Sequence, residues 1–165
     1  GSVTVPEALR HILLGFEAGE AMTTVKLGDW AMLGTDAQVL RMDVFVDEQR
    51  IPKELVSDAA DVNALHAVAF NRLGRPVATG RMVSEQPGVG RIGRMAVHRV
   101  LRGGSLGKQV LQALTDAARA RGDREVMLHA QRSAVGFYER LGYQKRGETF
   151  VEAGIEHQEM FLPLV

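Results

Sequence analysis

The run Arg91-Ile-Gly-Arg-Met-Ala-Val-His-Arg-Val-Leu-Arg-Gly-Gly-Ser-Leu-Gly-Lys108 constrains this chain more than any other segment. Its first half is β-type. Its second half is glycine-rich and opens a helix with the apolar stripe Leu106, Val110, Leu111, Leu114, Ala117 and Ala118. A strand that feeds a tight glycine turn and then a helix gathers successive backbone N–H groups and the positive end of the helix dipole in one place. The segment therefore predicts an anion cradle suited to a pyrophosphate-bearing ligand.

The other periodicities set the context. Leu9, Ile12, Leu13 and Phe16 fall at helical spacing, and Gly1-Ser2 without an initiator Met reads as a cloning remnant. Residues 1–21 are thus expected to be a tag scar with a short helical appendage, and residues 22–165 a single domain. Met22 to Leu33, interrupted at Gly28-Asp29, reads as a first strand. Thr35 and Asp36 are expected to cap a helix to about Gln49, before Pro52, with Arg41, Val44, Phe45 and Glu48 on one face. Ala64–Phe70 and Val77–Val83 read as a hairpin, followed by a strand over Val89–His98. After the helix, with Gly122 as its C-terminal cap, Glu125 to Gln131 alternates. Val126, Leu128 and Ala130 are assigned to a core side, and Met127, His129 and Gln131 to a cleft. Ser133–Leu141 reads as a short helix. Tyr143–Val151 and Ile155–Leu164 read as two strands turning at Ala153-Gly154. This order predicts a mixed α/β fold, a mostly antiparallel central sheet flanked by helices, too antiparallel for a doubly wound dinucleotide-binding fold.

Composition narrows the partners. With 20 Lys and Arg against 20 Asp and Glu, no global field recruits nucleic acid or an anionic membrane, and neither partner is expected. No apolar run approaches the ~20 residues of a membrane-spanning helix. The absence of Cys removes thiolate catalysis and disulfides and suits a cytoplasmic protein. Histidines 11, 66, 98, 129 and 157 lack the spacing of a helical metal site, so no metal is expected.

Arg102-Gly-Gly-Ser-Leu-Gly107 is followed, about thirty residues on, by Ala134-Val-Gly-Phe-Tyr-Glu-Arg-Leu-Gly-Tyr143. In that order and separation the two motifs resemble the GNAT superfamily of N-acetyltransferases, over roughly residues 22–164. Val44-Phe-Val-Asp-Glu-Gln49 and the segment from Phe150 to Met160 look like a small bacterial branch of that superfamily in which many acceptors are unassigned. The resemblance implies a sheet splayed between the strands at 91–98 and 125–131. It implies acetyl-CoA as co-substrate, its pyrophosphate over the amides of Arg102, Gly103, Gly104, Ser105, Leu106, Gly107 and Lys108. The pantetheine arm is expected to run along Met95, Ala96 and Val97. Gly93 is compatible with the distortion the splay needs. Ser105 stands where the family has a glycine, and Gln131 where a pantetheine-binding Asn is common.

Within that resemblance Tyr138 is the expected general acid for the departing thiolate. The acceptor amine must lose a proton, and Glu48, His129 or a water relay are the candidates for taking it. Each has an alternative reading: Glu48 as a partner of Arg41, His129 as a hydrogen-bonded core histidine. A backbone N–H near Met95 to Val97 suits the carbonyl oxygen as charge develops on it. Asp43, Asp47 and Glu48 hint at a cationic acceptor. The expected reaction is direct acetyl transfer to a primary amine of a small molecule or peptide, with a non-catalytic acyl-CoA-binding module as the alternative and a homodimer as a possible assembly.

Overall fold

The computed structural model describes residues 23–165, so the helix expected over Pro6–Phe16 lies outside the described residues. Seven strands form one sheet: β1 (Thr24–Gly28), β2 (Leu65–Phe70), β3 (Pro76–Gln86), β4 (Val89–Val97), β5 (Glu125–Gln131), β6 (Gln144–Glu152) and β7 (Ile155–Pro163). Their order is β1-β2-β3-β4-β5-β7-β6, and β4 and β5 are the one parallel pair among otherwise antiparallel neighbours. The crossover between them is the helix α2 (Leu106–Ala120), and α3 (Val135–Arg140) follows β5. The mixed, mostly antiparallel sheet flanked by helices is the architecture the element order predicts.

Two expectations near the start are corrected. The first strand ends at Gly28, and α1 runs over Trp30–Arg41, with the Asp29 carboxylate accepting from the Met32 N–H at 2.9 Å. Gly28-Asp29 is thus a strand-to-helix junction, with Asp29 rather than Thr35 or Asp36 as the cap. The helix does reach Glu48, but its last part, Met42–Glu48, is a π-helical segment. Arg41, Val44 and Phe45 are buried while Glu48 turns outward.

The core explains the rest of the pattern. One face of the sheet packs Ala78, Met82, Ile92, Val126, Leu128 and Ala130 against Leu106, Val110, Leu111, Leu114 and Ala118 of α2. The opposite face packs Leu33 and Ala37 of α1 on Val68, and Ala96 of β4 on Leu40, Val44, Phe45 and Val56. Met127 is buried, so of the assigned cleft side of β5 only His129 and Gln131 reach open space.

The segment joining α1 to β2, with 3-10 turns at Lys53–Leu55 and Ala59–Val62, supplies the acids of an ion cluster against the second face. Asp61 accepts from Arg41 at 2.9 and 3.0 Å and from Arg81 at 2.9 Å; Arg81 also binds Asp58 at 2.6 and 3.0 Å. Arg41 has no exposed surface and its guanidinium lies 5.1 Å from the Trp30 ring centre. Burial raises the Asp61 carboxyl pKa, but hydrogen bonds from Arg41 and Arg81 outweigh it and hold the group below its ordinary value. Hydrogen bonding from Arg81 leads the causes that bring Asp58 down to about 2. Removing a partner from a buried ion pair strands a charge, at about 3–5 kcal/mol. Asp61→Asn should lower unfolding free energy in urea by about that amount, and a loss under about 1 kcal/mol would contradict the assignment. Because both folded-state pKa values lie below those of the unfolded chain, the contribution is complete above about pH 5 and is lost progressively as pH falls through the folded-state values. Thermal midpoints measured from pH 5 to pH 2 should fall steadily.

Candidate active site

β4 and β5 pair from Val89 opposite Glu125 to Ile92 opposite Leu128, and past that point they separate. Beyond it β4 stays with β3, Ala96 opposite Thr79 and Val97 opposite Ala78, while β5 stays with β7, Gln131 opposite His157. The cause is a bulge. Between the pairs Arg81–Gly93 and Thr79–Ala96, β4 places Arg94 and Met95 opposite the single residue Gly80. Arg94 takes φ 52°, a left-handed conformation unusual for a non-glycine residue. Its guanidinium is held by the Val56 carbonyl at 2.9 Å, the Leu55 carbonyl at 3.3 Å and Asp58 at 3.3 Å. A Cβ on Gly80 would stand 2.5 Å from the Met95 sulfur and 3.1 and 3.2 Å from the Val110 and Leu114 methyls, so the Met95 side chain packs over this glycine. Gly93, compatible with such a distortion, has no positive φ; the left-handed residue is its neighbour Arg94.

The gap is a cavity of about 250 Å³, lined by Gly93, Arg94 and Met95 on one side and by Leu128, His129, Ala130 and Gln131 on the other. Tyr138, His157 and Glu152 also line it. Tyr138 is 7% exposed, with Phe137 and Tyr143 packed edge-on at 5.0 and 5.5 Å. Burial pushes its phenol pKa far up, so the group remains a proton donor at neutral pH. Gln131 and Gln49 exchange amide hydrogen bonds at 3.0 and 3.4 Å, joining the end of β5 to the end of the π-helical segment.

The glycine turn lies beyond the far end of β4. The N–H groups of Ser105, Leu106, Gly107 and Lys108 have no backbone acceptor among the described residues, whereas Arg102-Gly103 form a hydrogen-bonded turn, the Arg102 N–H expected to face a phosphate bonds the Arg99 carbonyl at 3.4 Å, and Gln109 N–H bonds the Ser105 carbonyl at 2.9 Å. No side chain caps the helix: the Ser105 hydroxyl instead accepts from the Gln109 side chain at 2.8 Å. Gly103 holds φ 90°, and a Cβ there would meet nothing within 4 Å. A row of free donors beside open space at a helix N-terminus is an anion-binding geometry. Lys108 is exposed beside it.

Several sequence-derived candidates acquire partners. Glu48 forms a two-pronged ion pair with Arg102, which also donates to the Val97 carbonyl at 3.1 Å. Hydrogen bonding from Arg102 holds the Glu48 carboxyl below its ordinary pKa. Glu48 is therefore the partner of Arg102, and Arg41 belongs to Asp61. Glu48, Asp43 and Asp47 lie outside the cavity lining. His129 lies inside it, its Nδ1 2.9 Å from Arg91 Nη2 and 3.1 Å from Glu152, with Phe150 edge-on at 4.8 Å. The sequence reading passed over His157, Glu152 and Arg94. Only the β5–β7 register carries His157 to this wall, and no local motif marks it.

A family model for the acetyltransferase (GNAT) domain matches residues 34–164. The chain belongs to the GNAT acetyltransferases. It is 35% identical over 126 residues to the uncharacterized N-acetyltransferase YjcF of Bacillus subtilis, covering 76% of this chain and 89% of that one. Among solved structures, a Lactobacillus plantarum protein assigned as an N-acetyltransferase superposes with a TM-score of 0.81 at 27% identity, covering 87% of this chain and 99% of that one. Escherichia coli ElaA superposes with 0.75 at 25% identity, covering 85% and 99%. The protein is thus an acyl-CoA-dependent acetyltransferase of this family.

If Glu48 only neutralises Arg102, then Glu48→Gln should keep kcat within about threefold and lower KM for acetyl-CoA by releasing a cation beside the turn. A fall in kcat of about 100-fold, the usual loss for a general base, would reverse that reading.

Proposed function

We propose that this GNAT acetyltransferase moves acetyl from acetyl-CoA directly to a primary amine of a small molecule or peptide. The observation that carries the reading is the pairing of an open wedge between β4 and β5 with the unsatisfied N–H row at the start of α2. The free amides of Ser105 to Lys108, with the turn at Gly103-Gly104 before them, suit a pyrophosphate, and the edge of Met95, Ala96 and Val97 suits the amide groups of a pantetheine arm as an added strand. Gln131, at the wedge mouth, exchanges its bond with Gln49 for one to that arm. Acetyl-CoA supplies an activated thioester, and the residues around it orient it, exclude water and move protons.

Tyr138 is suited to give its proton to the sulfur as the thioester C–S bond breaks. Its phenol lies on the cavity wall, is held protonated by burial, and has no hydrogen-bond partner among the described side chains. A backbone N–H at the Arg94–Met95 bulge is suited to the thioester oxygen, because the bulge frees it from the ladder. Without Cys no thiol carries a covalent acetyl group, so cofactor and acceptor are expected to be bound together.

Isothermal titration should show acetyl-CoA and CoA binding with micromolar affinity and ATP silent. No acetyl-CoA binding, or equal binding of ATP, would overturn the assignment. Tyr138→Phe should lower kcat by about 100-fold or more while acetyl-CoA affinity stays within about twofold. An unchanged kcat would remove the acid role, and a wild-type protein that binds acetyl-CoA but acetylates no amine would favour a binding module without catalysis.

A further inference from the structure

We propose that His157 is the group that takes the proton from the acceptor amine, a role that rests on the acetyltransferase reading above. His157 is 7% exposed and lines the cavity from β7, opposite Gln131 at the end of the splayed strand β5. Its Nδ1 lies 2.7 Å from the Ile155 carbonyl. A carbonyl only accepts, so Nδ1 carries the ring proton, and in the neutral ring Nε2 keeps an in-plane lone pair. Phe150 stacks on the imidazole at 6.0 Å and 21°, fixing its plane. No described residue bonds Nε2. A histidine on the cavity wall with its tautomer set from behind and its acceptor nitrogen unengaged is equipped to receive a proton.

The other acceptors near the wedge are already engaged. Glu48 is held by Arg102 away from the cavity lining. His129 Nδ1 lies between Arg91 Nη2 at 2.9 Å and Glu152 at 3.1 Å. Arg91 can only donate, so at 2.9 Å it takes the Nδ1 lone pair and the ring proton sits on Nε2. His129 Nε2 faces Glu159 at 3.7 Å. Glu152 is half exposed and lies 4.0 Å from Arg91, so its charge is solvated and paired with a cation. Tyr138 is a donor.

The step balances as follows in protons and bonds. The acceptor arrives as an ammonium, one proton passes to His157 Nε2, and the freed nitrogen lone pair forms the C–N bond to the thioester carbon. The C–S bond breaks and its electron pair leaves on sulfur, which takes the phenolic proton of Tyr138. Of the two protons the nitrogen loses, one reaches solvent through His157 and the other restores the phenol. The titratable and charged groups sharing the cavity with His157 are His129 on β5, Glu152 on β6, Tyr138 on α3, Arg81 on β3, and Arg91 and Arg94 on β4.

The test uses the full chain, acetyl-CoA and whichever of spermidine, tyramine or N-α-acetyl-lysine gives the fastest thiol release. His157→Asn keeps a donor for the Ile155 carbonyl and lacks Nε2. It should lower kcat/KM at pH 7 by about 100-fold or more while acetyl-CoA affinity stays within about twofold. The acid limb of its pH profile should become a steady rise that follows ionisation of the amine itself. Added imidazole should restore part of the rate of His157→Ala, which a purely structural role would not allow. A His157→Asn enzyme within about threefold of wild type, an unchanged acid limb, or a loss that imidazole leaves untouched would overturn the role of His157 alone. A wild-type protein that releases no thiol with any amine would instead overturn the acetyltransferase reading on which it rests.

Discussion

The residue that β4 carries in excess opposite Gly80 is the constraint on which the rest of the site depends. Up to Ile92 and Leu128 the parallel pair is an ordinary ladder. One residue later the register slips, Arg94 turns left-handed, and the tail of β4 follows β3 instead of β5. The edge of β4 beyond Ile92 is no longer paired with β5, and an unpaired strand edge beside a gap can take an extended ligand, although the Val97 carbonyl there accepts from Arg102. The same parting exposes His129 and Gln131 on the β5 wall and leaves Tyr138 beneath it. Left-handed backbone at an arginine is costly, of order 1–3 kcal/mol, and persists only where the surroundings over-determine it. Here they do so through the Val56, Leu55 and Asp58 acceptors that hold the Arg94 guanidinium.

Those acceptors link the wedge to the ion cluster beneath it. Asp58 and Asp61 serve Arg41, Arg81 and Arg94, so α1, the segment before β2, and strands β3 and β4 meet around two carboxylates. Three cations against two anions leave the cluster positive, with Arg81 and Arg94 on the cavity wall. At the other end of the wedge Arg102 is neutralised by Glu48, so the unpaired donors beside the turn are mainly backbone N–H groups. Backbone donors fixed by a helix start lose little entropy on binding, which is why a glycine turn serves where a lysine patch would be less well ordered.

Much of the fold was legible because it rests on period alone. Strands at 65–70, 89–97 and 125–131 and the helix over 106–120 follow hydrophobic spacing that local sequence carries directly. The glycine turn was equally plain, since an unpaired N–H row needs small residues and a helix start, both visible in Arg102 to Lys108. The misreadings have physical causes. Gly28-Asp29 reads as an irregularity within a strand because a cap is recognised only when the helix behind it is, and Trp30 to Leu33 is as apolar as a strand. The left-handed residue is Arg94 rather than Gly93, and the Met95 side chain beside it packs over Gly80 of the neighbouring strand, a contact across β3 and β4 that no single segment encodes. Glu48 and Arg102 are 54 residues apart, and their pairing depends on how the π-helical segment ends. His157 was passed over for the same reason, since its meaning comes from the register that sets it against Gln131.

The most direct test of the account is amide hydrogen exchange on the whole protein with and without CoA, read residue by residue. If the parted tail of β4 and the free N–H row before α2 form one binding surface, CoA should add protection at Gly93 to Val97 and at Gly103 to Lys108, with little change along β1, β2 and β6. Protection confined elsewhere, or a CoA complex that leaves both segments exchanging as before, would contradict it.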